Sequence, residues 1–147
     1  MPARTANAEW RGSLARGKGT MRMKNAGWEG PYSAPSRFEE GEGASPEELI
    51  AAAHAGCFSM AFADDLTQAG FEPEHVATRA RVHLDRKGGV WTIHRVHLET
   101  EAAAPGLEEA RLQEIAQVSK DNCPVSRALA EAEITVEARL AMATARG

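Results

Sequence analysis

Short stretches of alternating apolar and polar residues, separated by glycines, open the chain. Ala8 and Trp10 alternate with polar neighbours, and so do Met21 and Met23. Alternation bounded by turn residues is typical of short strands. We therefore predict a small antiparallel meander, followed over residues 30–43 by an aperiodic loop that contains prolines, glycines and one short edge strand.

A long helix is predicted after this loop. Ser45 is a suitable N-cap, Pro46 suits the first helical position, and Glu48 completes a capping box. The apolar positions that recur at three- and four-residue steps before Gly70 are Leu49, Ala53, Cys57, Met60 and Ala61. This spacing predicts about six helical turns with a buried stripe formed by those positions.

A long hairpin is predicted next. Residues 76–84 and 90–100 alternate as strands, and the glycine-containing segment 87–89 supplies the turn between them. The alternation slips between Ile93 and Val96, which predicts a bulge.

Two further helices and a last strand complete the pattern. Helical spacing relates Leu107, Leu112, Ile115 and Val118. Pro124 can open a short helix that runs to about Ala132, and residues 134–140 alternate as a strand. We predict a single α+β domain over residues 1–147 with antiparallel sheet.

Composition and charge narrow the class of protein. The net charge is -4, from 17 Lys and Arg against 21 Asp and Glu, and no basic stripe points to nucleic acid. Only 5% of residues are aromatic, so few bulky side chains are available to build a hydrophobic core within one chain. Dimerisation would help to stabilise such a chain. We expect no membrane span and no secretory signal, hence a cytoplasmic protein whose cysteines normally stay reduced.

Two cysteines occur, each in a helical setting. Cys57 lies about three turns into the long helix, too deep for the helix dipole to lower its pKa much. Cys123 precedes Pro124 near the start of a helix, where unsatisfied amides favour a thiolate. Two interpretations stay open, a redox-active pair of thiols and two small buried hydrophobic residues.

The candidates for activating Cys57 are Arg37 and Glu47, with Arg16 as a second cation. Glu47 and Cys57 are ten residues apart, about 15 Å along one helix, so a shared site would need a second chain. Arg37 would stabilise the thiolate and Glu47 would orient Arg37 by a bidentate pair. The alternatives are that Glu47 merely favours the helix N-terminus and that Arg37 is a solvated loop charge.

Histidines on the hairpin raise a metal-binding alternative. His94 and His97 face opposite sides of a strand, whereas the hairpin turn would place His83 across from His94. We favour solvent-facing histidines over a metal site. Since no CxxC, HExxH or glycine-rich phosphate motif occurs, a zinc, nucleotide or flavin enzyme is not indicated.

Several segments together carry a family resemblance. They are Ala8–Trp10, Arg16–Gly19, Ser36–Glu39, Pro46–Ile50, His54–Met60 and Asn122–Ser126. With these segments the chain resembles the OsmC branch of the OsmC/Ohr family, the osmotically inducible protein C and organic hydroperoxide resistance proteins. Ala44-Ser45 stands where the family usually has Thr-Asn, and Ser is an equally competent N-cap.

The resemblance implies an α+β fold in which antiparallel sheets pack on long central helices of an intertwined homodimer, with active sites at the interface. It implies a thiol peroxidase for organic hydroperoxides, and more weakly for hydrogen peroxide, in oxidative and osmotic stress defence. Cys57 would be the peroxidatic cysteine, Cys123 the resolving cysteine that forms a disulfide with it, and Glu47 the acidic partner of a cation supplied by Arg37 or, alternatively, Arg16. No cofactor would be bound, and an external dithiol, a lipoyl-bearing protein, would be the reductant.

A different class of function is a non-enzymatic stress protein. Such a protein would hold a small apolar ligand in the dimer groove, with the cysteines incidental. Binding of a lipid-like molecule without consumption of peroxide would favour this alternative.

Overall fold

The computed structural model describes residues 2–141. The chain divides into two compact units, with the boundary between Leu49 and Ile50. A single domain over residues 1–147 stays a prediction, and the two units are described in turn.

The first unit contains the predicted meander. Its antiparallel strands, in the order β1-β2-β3, are β1 (Asn7–Arg11), β2 (Lys18–Met23) and β3 (Trp28–Tyr32). Gly19 pairs with Trp10 on one side and Tyr32 on the other. A side chain at Gly19 would collide with both rings, whose centroids lie 5.3 Å apart. The glycine therefore allows the two aromatic rings to pack against each other across the central strand.

A short helix, α1 (Ala34–Phe38), lies in the segment 30–43 that was predicted as a loop. The hydroxyl of Ser33 accepts a hydrogen bond from the Ser36 backbone, and the hydroxyl of Ser36 accepts one from the Ser33 backbone. This reciprocal cap supports the helix locally. The loop prediction was wrong here because a five-residue helix is too short to show an apolar period.

The long helix α2 (Pro46–Gln68) begins where predicted. The hydroxyl of Ser45 accepts a hydrogen bond of 3.0 Å from the backbone N–H of Glu48, which confirms the serine cap.

The buried stripe of α2 differs from the predicted one. The wholly buried residues are His54, Phe58, Phe62 and Leu66, four positions apart. Met60, by contrast, is 77% exposed and Ala53 is exposed. The prediction was wrong by one position, about 100° around the helix. Two phenylalanines remove more apolar surface from water than alanine and methionine would, so they turn that face inward.

The second unit has a mixed sheet in the order β4-β5-β6. Its strands are β4 (His75–Lys87), β5 (Val90–Ala103) and β6 (Glu133–Leu140). β4 and β5 form the predicted antiparallel hairpin, whereas β6 runs parallel to β5. The expectation of a purely antiparallel sheet was therefore wrong for β6. The chain returns to the sheet through two helices, and such a crossover brings a strand back in its original direction.

The predicted bulge occurs in the hairpin. Leu84 pairs with Ile93 and His83 pairs with Arg95, so His94 is the extra residue on β5. His83 is thus not directly across from His94, contrary to expectation, although their ring centroids are 6.0 Å apart.

Helices α3 (Glu109–Asn122) and α4 (Pro124–Ala128) connect β5 to β6. Val118 is half exposed rather than buried, and α4 ends earlier than predicted because the backbone turns at Leu129. The buried core of this unit comprises Phe58, Phe62, Leu66, Val96, Leu98, Ala102, Leu107, Leu112, Ile115, Ala116, Cys123 and Ala138. Across residues 2–141, no helix combines the length and apolar character needed to cross a membrane.

Candidate active site

The two cysteines meet inside the second unit. The Sγ atoms of Cys123 and Cys57 lie 3.2 Å apart, within hydrogen-bonding distance for two thiols, and both cysteines are free. Cys57 is partly exposed on α2, while Cys123 is wholly buried. A disulfide requires the sulfur atoms to approach by only about 1 Å more. The sequence-predicted thiols are therefore within reach of each other in one chain.

Cys123 occupies the corner between α3 and α4. The residue before a proline disfavours helical geometry, and Cys123 is extended, with φ -60° and ψ 124°. Its N–H donates to the carbonyl of Ser119, and its own carbonyl accepts from the N–H of Arg127, each at 3.0 Å. Cys123 therefore ends one helix and caps the next, as Pro124 in the sequence predicts.

The environment of Cys57 opposes ionisation. Burial raises the pKa of the Cys57 thiol, the backbone N–H of Val125 lowers it by hydrogen bonding, and the Cys123 thiol raises it further. The net direction is upward. A reactive thiolate at Cys57 therefore requires an additional stabilising charge.

Arg37 and Glu47 form a bidentate pair within the first unit. The Nε and Nη2 atoms of Arg37 donate to the two carboxylate oxygens of Glu47, each at 3.0 Å. The Glu47 side chain is only 11% exposed and that of Arg37 35%. Arg37 lies on α1 and is not a solvated loop charge, so that alternative was wrong. The geometry is the strong, orienting form of a charge-assisted hydrogen bond.

Arg16 has a different setting. It lies in the exposed turn between β1 and β2, where its backbone N–H donates to the hydroxyl of Ser13 at 3.3 Å. The roles of Arg37, Arg16 and Glu47 toward Cys57 stay predictions.

A buried polar pair lies beside the thiols and was missed by the sequence analysis. Nε2 of His54 and the hydroxyl of Ser126 are 2.7 Å apart, and both residues are buried. Burial lowers the pKa of His54, which favours the neutral ring. The sequence signal that could have indicated this pair is its spacing from the cysteines. His54 precedes Cys57 by three residues, and Ser126 follows Cys123 by three.

The hairpin histidines have other neighbours. His97 Nδ1 lies 2.6 Å from the hydroxyl of Thr135, and the pKa of His83 is lowered by burial and by nearby Arg95. Within the described part of the chain, no three His, Cys, Asp or Glu side chains are grouped to hold a metal ion.

A mixed α+β fold with two free thiols in contact defines a protein of the cysteine-redox class. Comparison with known proteins narrows this class. Residues 39–139 match the family described as OsmC-like protein. The chain is also 42% identical over 134 residues to Peroxiredoxin OsmC of Escherichia coli and to that of Shigella flexneri, with 90% of this chain and 93% of each relative covered. The chain belongs to the OsmC-like family.

Solved structures agree on the fold. The organic hydroperoxide resistance protein OhrB of Bacillus subtilis has a TM-score of 0.70 at 21% identity, covering 92% of this chain and 98% of its own. An OsmC-like protein of Vibrio cholerae has a TM-score of 0.73 at 17% identity, covering 95% and 100%. The predicted resemblance and the α+β fold class are confirmed. The predicted class of enzyme, a cysteine-based peroxidase, is confirmed by the 42% identical relatives.

Proposed function

We propose that this protein reduces organic hydroperoxides through Cys57 and Cys123. The Cys57 thiolate attacks the terminal peroxide oxygen, the O–O bond breaks, and the alkoxide leaves as an alcohol after taking up a proton. The resulting sulfenic acid condenses with the Cys123 thiol, which forms the disulfide and releases water. The single observation that carries this proposal is the 3.2 Å separation of the two sulfur atoms.

Arg37 is the proposed activating cation. Its guanidinium would stabilise the Cys57 thiolate and then the departing alkoxide, while Glu47 holds it in orientation. The bidentate pair and the burial of Glu47 support this assignment. Arg16, on its exposed turn, is the alternative cation.

A homodimer of single-domain chains, each spanning residues 1–147, is proposed to complete two active sites at its interface. Ala53, Gly56 and Met60 share an exposed apolar face of α2, and a second copy packing there would remove it from water. Met60→Glu is expected to shift the protein toward monomer in sedimentation velocity, with Val118→Glu, also at a half-exposed apolar position, as the control. Equal sedimentation of wild type and Met60→Glu would contradict this arrangement.

The proposed setting is the cytoplasm, in defence against oxidative and osmotic stress. An external dithiol, carried by a lipoyl protein, would reduce the Cys57–Cys123 disulfide by thiol–disulfide exchange. Organic hydroperoxides should react faster than hydrogen peroxide, because burial of each alkyl methylene contributes about 0.8 kcal/mol. The similarity in fold to an organic hydroperoxide resistance protein of Bacillus subtilis supports this substrate class.

Stopped-flow oxidation of the reduced protein tests the proposal. Cumene hydroperoxide is expected to react much faster than hydrogen peroxide, and intact mass should fall by about 2 Da per chain as two thiol hydrogens are lost. Slow, equal reaction with both peroxides and no change of mass would contradict the proposal.

A cavity in the first unit favours a second candidate, a protein that binds an apolar ligand. The cavity has a volume of about 400 Å³ and a lining that includes Trp10, Leu14, Tyr32, Arg37 and Phe38. The aromatic and aliphatic part of this lining suits an alkyl chain, although the guanidinium of Arg37 is already paired with Glu47. Calorimetric titration with decanoate, together with the peroxide assay, separates the candidates. Tight binding without peroxide consumption would favour the ligand-binding protein.

A further inference from the structure

Two side-chain contacts join α2 to the corner between α3 and α4. Cys57 contacts Cys123, and His54 contacts Ser126. Residues three apart on a helix lie on the same side, so His54 and Cys57 leave α2 next to each other. Ser126 and Cys123 are likewise three apart, on α4 and at its N-cap. The hydrogen bond and the thiol contact therefore lie in adjacent layers between the same two elements.

The His54–Ser126 hydrogen bond is a buried directional restraint. A separate hydrogen bond of 2.7 Å, from the hydroxyl of Ser119 on α3 to the carboxylate of Asp65, joins α3 to a later turn of α2. His54 is wholly buried and Ser126 is 5% exposed. Nδ1 of His54 has no hydrogen-bond partner among residues 2–141, so sliding of the corner along α2 would leave the imidazole without the hydrogen bond these residues provide. A buried polar group without a partner is costly, whereas apolar neighbours can slide at little cost.

Disulfide formation needs this kind of restraint. The bond demands a narrow range of Cβ separations and a defined dihedral angle, and a misplaced corner would fail both. We propose that His54 and Ser126 are positioning residues that hold the α3–α4 corner at the level on α2 where Cys123 can bond to Cys57. The proposal rests on the proposed function in one respect, that these two cysteines form the redox pair.

Redox equilibrium with glutathione tests the positioning directly. The protein disulfide and two molecules of reduced glutathione exchange with the protein dithiol and one molecule of oxidised glutathione, and the equilibrium gives the effective concentration of Cys123 at Cys57. Ser126→Ala is expected to lower this effective concentration at least tenfold. The double variant His54→Leu/Ser126→Ala should be within threefold of Ser126→Ala, because both substitutions remove the same hydrogen bond.

Ser59→Ala is the matched control. It removes a hydroxyl hydrogen bond of 2.8 Å from α2 to Thr78 on β4, away from the corner. We expect its effective concentration to stay within twofold of wild type. The proposal is overturned if Ser126→Ala also stays within twofold, or if Ser59→Ala falls as far as Ser126→Ala. This comparison decides the matter even if variants of His54 do not fold.

Single-turnover oxidation separates failure of this inference from failure of the proposed function. With cumene hydroperoxide, Ser126→Ala should oxidise Cys57 at the wild-type rate but condense to the disulfide at least tenfold more slowly, measured by intact mass after quenching. Equal condensation rates would overturn the positioning role. If wild-type protein does not react with the peroxide at all, the proposed function fails, while the glutathione equilibrium still tests the pair.

Discussion

The first and second units hold their candidate site residues by different forces. Arg37 and Glu47 are ten positions apart and meet through two charge-assisted hydrogen bonds, in a unit where Ala44, 7% exposed, is the only buried apolar side chain among residues 2–49. Cys57 and Cys123 are 66 positions apart and meet through the packing of an apolar core. The ion pair should therefore respond to charge, and the thiol pair to core volume.

Loss of a thiol should have the largest effect. Cys57→Ser removes the proposed nucleophile, so peroxidase turnover with cumene hydroperoxide should fall on the order of 10³-fold or more. Cys123→Ser should retain one oxidation and then accumulate sulfenic or sulfinic acid at Cys57, visible as added oxygen in the intact mass. A Cys57→Ser protein with full activity would reject the thiol pair as the reactive part of the site.

Truncation of a core side chain should have the next largest effect, and it should distinguish the second unit from the first. Phe62→Ala removes a wholly buried ring and should lower the free energy of unfolding by about 3–5 kcal/mol. Arg37→Ala, at a partly exposed charge, should cost much less. Urea denaturation monitored by circular dichroism measures both, and equal losses would contradict the distinction.

Removing the cation should alter reactivity more than stability. On the proposed function, Arg37→Ala raises the pKa of Cys57, so the midpoint of its alkylation by iodoacetamide should move up by about 1–3 pH units. Arg16→Ala is the control and should leave the midpoint in place. The reverse result would transfer the role to Arg16.

A smaller effect of pH should come from His54. Burial lowers the pKa of His54, so its neutral state stabilises the fold above the unfolded pKa of about 6.5, and this contribution is lost as pH falls below that value. The free energy of unfolding should decline by up to about 1.4 kcal/mol per pH unit more in wild type than in His54→Gln. Urea titrations between pH 7 and pH 5 measure this slope. Parallel slopes would show that the pKa of His54 is not lowered in the folded protein.

Features set by neighbouring residues were predictable. Ser45 and Pro46 predicted the start of α2, and the break in alternation near His94 predicted the bulge. Both features depend on residues that are close together in the sequence. The pairing of Arg37 with Glu47 was also expected. Because the two residues are only ten positions apart in the sequence, a turn between α1 and α2 is enough to bring them together.

Features set by distant packing were not predictable in the same way. Which stripe of α2 is buried depends on the elements that cover Phe58 and Phe62, and the spacing of apolar residues along the helix does not identify those elements. The parallel β6 and the His54–Ser126 bond likewise depend on the return of the chain through α3 and α4. Sequence motifs were enough to single out Cys57 and Cys123 as candidate thiols. Only the fold shows how the two thiols are positioned.

The corner at Cys123 has a consequence for the lifetime of the protein. A disulfide from this corner to Cys57 would close a loop of 66 positions and stabilise the fold by about 4 kcal/mol through restriction of the unfolded chain. The population of transiently opened chains, which proteases cleave, would then be smaller. The oxidised protein would therefore be degraded more slowly than the reduced one. While reductant is scarce, the protein would stay in the oxidised, longer-lived form until reductant returns.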